Sequence, residues 1–166
     1  MVAGNASDGR IVYAAFAAGL FAAVFEMLFV LPIQWFVLHN SPVGVFQSIA
    51  YGAIGRAAFK GGLGTAGLGV FFHVLISVVA AGLYALAATR WSLLLRRPWL
   101  MGLAYGLPIY LVMNFIVLPL SKVGFGFPKD PVIWLISFSI HFVGFSLPIA
   151  LACRAVMGAP APQDRT

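Results

Sequence analysis

The chain has 166 residues, of which 62% are hydrophobic and only 8% are charged, with a formal net charge of +6. Soluble domains average about 25% charged residues, so a water-soluble fold of this size has no means of covering so much apolar surface. The basic residues stand singly or in pairs at the ends of apolar runs, which indicates contact with a lipid bilayer rather than with nucleic acid. The lone Cys153 excludes an internal disulfide.

Four apolar runs reach the length of about 18 residues or more that a bilayer span requires. They do not alternate between apolar and polar residues as barrel strands do, so the chain is predicted to be an all-α membrane protein. The first run contains Glu26 and follows no strong basic stretch, which identifies it as a span rather than a secretory signal. The predicted spans are 11–38, 63–88, 99–120 and 132–155, within one membrane domain over residues 1–166.

The stretch between the first two runs is too polar to cross lipid easily and too apolar to be a free loop. Ser41 and Pro42 form an N-cap followed by proline at the first helical position, and a pair of glycines ends the pattern. Residues 42–59 are therefore predicted to form an amphipathic or re-entrant helix that covers the outer mouth of the bundle as a lid or brace. Its predicted apolar face consists of Phe46, Ile49, Ala50, Ala53, Ile54, Ala57 and Ala58, with Gln47 elsewhere around the helix.

A fifth span is the alternative for this stretch, and Arg56 argues against it. An arginine at mid-membrane costs about 2.5 kcal/mol or more. With four spans, both termini lie on one side of the membrane, and the Lys and Arg residues favour that side as the cytoplasmic one by six to four. The six are Arg10, Arg90, Arg96, Arg97, Arg154 and Arg165, and the four are Arg56, Lys60, Lys122 and Lys129.

A short internal similarity links the two halves of the chain. Residues 19–32, GLFAAVFEMLFVLP, align without a gap over residues 106–119, GLPIYLVMNFIVLP. His73 ends GVFFH in the second run, and His141 ends SFSIH in the fourth. The pattern indicates two copies of a two-helix hairpin, related by an axis along the membrane normal. Chance similarity is the alternative, since Leu, Val, Gly and Pro are common in membrane helices.

Charged and histidine side chains deep inside spans are rare because lipid does not solvate them, and this chain has three of them away from the ends of its predicted spans: Glu26, His73 and His141. At a rise of 1.5 Å per residue, both histidines lie roughly 14–15 Å from the outer ends of their spans, and Glu26 lies at a similar depth. The three are therefore predicted to share one layer, where Asn114 adds neutral polarity. Arg56 is predicted to attract anions to the outer mouth.

Four interpretations of this polar layer are open. The first is structural: each imidazole bonds a backbone carbonyl or a serine, and Glu26, kept neutral by desolvation, bonds across the bundle. The second is a path for protons or a small solute, in which Glu26 exchanges a proton with one histidine. Kinks at Pro108 and Pro148 would let the helices of such a path flex.

The third interpretation is a redox or metal centre. His73 and His141 would be the two axial ligands of a b-type haem, or would bind a metal ion together with Glu26. The fourth is an accessory or assembly subunit, whose polar groups bind a partner in a membrane complex or a second copy of the chain. The usual marks of an enzyme, such as a nucleophile elbow or a phosphate-binding loop, are absent from the sequence, so no catalytic residue is predicted.

Several segments together resemble a family of small four-helix bacterial inner-membrane proteins: SPVGVFQSIAYGAIGRAAFKGG, GVFFHVLISVVAAGLY, GLPIYLVMNFIVLPLS and FSLPIALA. A looser likeness extends to the YagU-like inner-membrane proteins, through the His-x-x-x-Ser pattern and the glycine-rich third run that ends in proline. The resemblance implies a bacterial inner-membrane location and an acidic residue in the first span, where Glu26 stands in place of the expected aspartate. The YagU likeness also implies a connection with stress or acid tolerance, and neither likeness supplies an established reaction.

Overall fold

The computed structural model describes residues 3–124 and 130–158, with side chains from residue 9 onward. These residues contain helices, turns and no strand, and four of the helices are long and apolar enough to cross a membrane. The prediction of an all-α, multi-pass membrane protein is therefore confirmed. Lys129 and Arg165, which entered the predicted charge balance, lie outside the described residues. The first helix is Ala3–Phe36, and the other three spans are Gly62–Arg90, Pro98–Leu120 and Pro131–Met157.

The ends of the spans are set by local signals. The first helix ends at Phe36, earlier than predicted, because the amides of Val37 and Leu38 both donate to the carbonyl of Ile33 and the chain turns there. The fourth span begins at Pro131, where the Oδ1 atom of Asp130 accepts the amide of Val132 at 2.8 Å. A capped proline at the first helical position fits because proline has no amide hydrogen to satisfy there.

The spans pair as two hairpins, first with second and third with fourth, and the hairpins meet along the first and fourth spans. We call the end of the bundle with residues 37–61, 121–124 and 130 the loop end. The opposite end, with the connection 91–97 and the last helical residues, is the terminus end. A short helix, Leu93–Arg96, lies in that connection, and its Leu95 carbonyl accepts the Arg154 guanidinium at 2.8 Å.

Close packing of the first and second spans at the terminus end depends on small residues. Ala14, Ala18 and Ala22, spaced four residues apart on the first span, are fully buried. A side chain on the adjacent Gly19 would place its Cβ 2.5 Å from the Cα of Val78, so the two backbones are in direct contact. The hydrophobic effect does not bring helices together in lipid. Membrane helices therefore associate through small-residue faces that allow close van der Waals packing.

The second hairpin uses the same device at two glycines spaced four residues apart. A Cβ on Gly102 would lie 2.8 Å from the Cβ of Ala150, and one on Gly106 would lie 2.9 Å from the Cα of Phe142. Gly19 and Gly106, the first residues of the two internally similar segments, therefore both contact the partner helix of their own hairpin. The positions are equivalent in role, which agrees with the predicted two-hairpin arrangement.

The stretch between the first and second spans is a lid that crosses the loop end. It consists of an α-helix, Pro42–Ile54, followed by a 3-10 turn, Gly55–Lys60, so the prediction of one helix over 42–59 is corrected. Gly55, at φ +67°, interrupts the helix because other residues rarely adopt that conformation. The carbonyl of Phe46 lies against Gly69 of the second span, and the carbonyl of Gly52 accepts the amide of Lys122 at 2.8 Å.

Burial within the lid does not follow residue polarity. Ala53, Ile54 and Ala57 are exposed, whereas Gln47 is buried. The Gln47 amide reaches the start of the second span, where Nε2 donates to the carbonyl of Gly62 at 3.0 Å. A buried amide is tolerated when it is hydrogen-bonded, and here the bond fastens the lid to the second span.

The close contact at Gly19 generates a test of the packing. Gly19→Ala places a methyl group on the Val78 backbone, so we expect it to destabilise the protein by about 1–3 kcal/mol, as overpacking does. The matched control is Gly67→Ala, a helical glycine with open space around it, where alanine's higher helix propensity keeps or raises stability. Thermal unfolding in mild detergent measures both. A Gly19→Ala protein as stable as Gly67→Ala would contradict the proposed backbone contact.

Candidate functional site

An inner cavity of about 430 Å³ lies among the four spans in the half of the bundle nearer the lid. Its volume is within the range of about 300–1,000 Å³ that small-molecule sites occupy. Four of the residues predicted from the sequence line its wall: Glu26, His73, Asn114 and His141. The structure therefore brings together groups from all four spans, and Val45, Ser48 and Ile49 of the lid complete the wall at the loop end.

Glu26 and His73 form the closest pair of ionisable groups in this cavity. The Oε2 atom of Glu26 lies 3.8 Å from the Nε2 atom of His73, and the two side chains are only 15% and 11% exposed. The same Nε2 atom lies 3.0 Å from the carbonyl oxygen of Ala23. A carbonyl only accepts hydrogen bonds, so Nε2 carries the hydrogen, and in the neutral ring Nδ1 is the acceptor. Ala23 and Glu26 are one helical turn apart, so both face the imidazole.

His141 is held by its own helix rather than by a neighbour. Its Nδ1 atom lies 2.7 Å from the Ser137 carbonyl, so in the neutral ring Nε2 is the acceptor. The ring packs edge-on against Tyr110 of the third span, with centroids 5.3 Å apart. The residue lies in a π-helical segment, Ile140–Ser146, which widens the fourth span locally.

Asn114 on the third span, like His141, lies in a π-helical segment and bonds a carbonyl of its own helix. It lies in a π-helical turn, Met113–Val117, and its Nδ2 atom donates to the Tyr110 carbonyl at 2.9 Å. That bond leaves the Oδ1 atom as an acceptor on the cavity wall. Single π turns inside α-helices occur frequently at functional sites, because the wider turn changes which side chains face inward. Both described π segments hold a polar residue of the cavity.

Arg56 does not join this group. It lines a second and larger space of about 910 Å³, the outer groove, which lies between the lid and the second and third spans. The inner cavity and the outer groove are adjacent, because five residues contribute to the walls of both. These shared residues are Ser48, Ile49, Ile76, Met113 and Leu118.

The terminus end of the bundle is closed beneath the inner cavity. The Tyr105 hydroxyl donates to the Ala80 carbonyl at 2.9 Å, and its ring packs edge-on against Tyr84 at 5.1 Å. Tyr84, Ile149 and Cys153 are fully buried there, together with the alanines of the first and second spans. The polar wall of the cavity is therefore separated from the terminus end by a packed apolar layer.

The predicted metal and haem ligands have a mixed outcome. Within the described ranges, no three or more His, Cys, Asp or Glu residues lie close enough to hold a metal ion, so a centre built from Glu26, His73 and His141 requires rearrangement. His73 and His141 each have one ring nitrogen hydrogen-bonded to a backbone carbonyl, as ligating histidines commonly have. A b-type haem on His73 and His141 stays a prediction.

Three serines on the cavity wall were not among the predicted site residues. Ser77 is fully buried and donates to the His73 carbonyl at 2.8 Å, Ser137 supplies the carbonyl that holds His141, and Ser48 comes from the lid. Ser77 and Ser137 each stand four residues from a histidine on the same helix. That spacing places each serine on the same helical face as its histidine. It is the feature of the sequence from which these two serines could have been predicted.

Comparison of the chain with protein-family models, curated proteins and solved structures finds no match. Fold and site therefore define its class: an all-α, multi-pass membrane protein with a polar cavity on its lid side. The resemblance to the small inner-membrane family stays a prediction.

Access of water to the inner cavity is testable with cysteine variants. Ser137→Cys places a thiol on the cavity wall, whereas Ser146→Cys places one on the same span where the native side chain is fully buried. We expect a charged methanethiosulfonate reagent to modify Ser137→Cys readily in proteoliposomes, because the reactive thiolate forms where water reaches. Ser146→Cys and the buried native Cys153 serve as unreactive controls. Equal rates at both positions would show that the cavity gives no selective access.

Proposed function

We propose that this protein moves protons, alone or coupled to a small polar solute, across a bacterial inner membrane through the inner cavity. The observation that carries the proposal is the pair Glu26 and His73, 3.8 Å apart on a cavity wall inside two apolar spans. Ionisable residues within spans are costly, and carboxylates near histidines are the usual groups of proton relays. A second histidine, His141, on the same wall adds a further proton acceptor.

The tautomer of His73 determines which ring nitrogen takes up a proton. Because the Ala23 carbonyl occupies the Nε2 hydrogen, His73 takes up a second proton at Nδ1. The resulting imidazolium lies beside Glu26, and an ionised carboxylate at 3.8 Å offsets its charge in surroundings of low dielectric. Protonation of the imidazole and ionisation of the carboxyl are therefore linked, and the pair holds a proton without a net charge in the membrane.

His141 and Asn114 extend the polar wall beyond this pair. His141 offers Nε2 and Asn114 offers Oδ1, since their other polar atoms bond their own helices. A proton or a small solute arriving from the loop end would meet these acceptors, with water bridging the gaps between them.

The packed terminus end supports a cycle of alternating access. With the cavity on the lid side and the opposite side filled by Tyr84, Tyr105 and alanines, the arrangement fits the state open towards the lid. The third and fourth spans hold Pro108 and Pro148 together with the two π segments, which supply bending points. Movement of the second hairpin would then open the terminus end.

The location and direction are part of the proposal. Excess Lys and Arg at the terminus end supports termini in the cytoplasm and a lid on the periplasmic side. A proton path that opens to the periplasm agrees with the acid-tolerance connection implied by the YagU-like resemblance. Membership of that family is itself part of the proposal.

The test is proton flux into liposomes that contain the purified protein and a pH-sensitive dye. We expect Glu26→Gln to reduce the flux by about 100-fold or more, the usual contribution of a positioned acid–base group. Glu26→Asp keeps a carboxyl group and should retain a measurable part of the flux. His39→Gln removes an exposed histidine outside the cavity and should leave the flux unchanged.

Two outcomes would contradict the relay. One is a wild-type flux no greater than that of empty liposomes, which would favour the accessory role instead. The other is a Glu26→Gln protein with wild-type flux, which would leave the carboxyl without a part in transfer. Circular dichroism of each variant checks that the helices are intact.

A further inference from the structure

The second and third spans diverge along their length. At the terminus end they meet, where the Tyr105 hydroxyl donates to the Ala80 carbonyl and the rings of Tyr84 and Tyr105 touch. Towards the loop end the outer groove opens between Ile76 of the second span and Val117 of the third. The lid bridges the groove at its loop end through the bond from the Lys122 amide to the Gly52 carbonyl.

The floor of the outer groove is apolar. Ile76, Val117 and Leu118 line it from the spans, and the rings of Tyr51 and Phe59 line it from the lid with centroids 5.7 Å apart. A gap between two spans faces the bilayer, so the molecules next to it are lipids. An empty apolar gap of this size forfeits dispersion contacts, and an acyl chain would restore them.

The loop end of the outer groove is basic. Arg56 and Lys60 line it, and the alkyl chain of Lys122 lies against Gly55 beside them. In the part of the chain that the structure describes, none of the three forms an ion pair. Their charges therefore stand next to an apolar slot without an acidic partner, the arrangement typical of pockets for anionic lipid headgroups between membrane helices.

We infer that the outer groove binds an anionic phospholipid, with one acyl chain between the second and third spans and the phosphate on Arg56 and Lys60. Guanidinium and ammonium groups form charge-assisted bonds to phosphate, and their long side chains extend towards the headgroup layer. The bound lipid fills the gap that the two spans leave, so it is expected to stabilise the bundle. This inference rests on the outer groove alone and does not depend on proton transfer at Glu26.

The test is a titration of delipidated protein in neutral detergent with phosphatidylglycerol and, separately, with phosphatidylcholine of the same chains. Native mass spectrometry counts the bound lipids, and thermal unfolding measures stabilisation, since a ligand that binds the folded state raises the unfolding temperature. We expect phosphatidylglycerol to bind and stabilise more strongly. Equal binding of the two lipids would overturn the inference, because the cations would then contribute nothing.

Charge variants test the headgroup site. Arg56→Gln/Lys60→Gln should weaken phosphatidylglycerol binding by about fivefold for each cation removed, or about 25-fold together. The charge-matched control Arg10→Gln/Arg90→Gln removes two exposed cations at the terminus end and should leave binding unchanged. An equal loss in both double variants would show a general charge effect and overturn the site.

A second pair of variants tests the acyl slot. Val117→Trp fills the outer groove and should reduce binding of the lipid, whereas Val112→Trp, on the lipid-exposed surface of the same span, should not. Glycerol phosphate, which carries the anion without a chain, should not stabilise the protein. Stabilisation by glycerol phosphate that matches the lipid, or insensitivity to Val117→Trp, would overturn the acyl assignment.

The relay and the lipid site fail separately. Glu26→Gln should retain full phosphatidylglycerol binding, because Glu26 does not line the outer groove. A wild-type protein that binds phosphatidylglycerol selectively but shows no proton flux supports the groove and removes the relay. Proton flux by a protein that does not bind phosphatidylglycerol selectively supports the relay and overturns the lipid site. A protein partner found seated in the groove in place of lipid would also overturn this inference.

Discussion

Backbone contact between helices at small residues is the constraint on which the rest of this structure depends. Gly19 lies against Val78 in the first hairpin, and Gly106 lies against Phe142 in the second. Lipid tails are as apolar as leucine, so these helices gain from close van der Waals contact rather than from burying apolar surface. The inner cavity and the outer groove lie towards the lid from these contacts, where the four spans are less closely packed.

Three polar side chains on the cavity wall follow a second rule that lipid imposes. Each must find a partner within the protein, and the nearest partner is a backbone carbonyl. His73 bonds the carbonyl of Ala23, His141 that of Ser137, and Asn114 that of Tyr110. Each bond fixes one polar atom and leaves another for the cavity. A structural bond and a chemical role are therefore compatible in the same side chain.

Much of this arrangement was accessible from the sequence. Run length alone predicted the four spans, and the constant rise of a helix placed Glu26, His73 and His141 at one depth before any contact was known. Depth is a one-dimensional quantity, so residue counting was sufficient. Their position on one cavity wall agrees with that layer, although the proximity of Glu26 to His73 also required the correct helix faces.

Other features depended on information that periodicity does not contain. The spans are apolar around most of their circumference, so no stripe of the sequence marks which helices touch, and the gap between the second and third spans was not predictable. Burial within the lid was not predictable for a related reason. The sequence pattern places Gln47 away from the apolar face, yet its amide donates to the Gly62 carbonyl and the side chain is buried. Tertiary bonding outweighed the amphipathic pattern.

The two π segments have a consequence for how such a chain changes during evolution. A π turn corresponds to one residue inserted into an α-helix, and one residue of an α-helix turns the chain by about 100°. Loss of a single codon within Met113–Val117 or Ile140–Ser146 would restore regular α-helical winding and rotate one flank of the helix relative to the other. A single-residue insertion or deletion can therefore change which polar groups the third and fourth spans contribute to the cavity, with every apolar span still long enough to cross the bilayer.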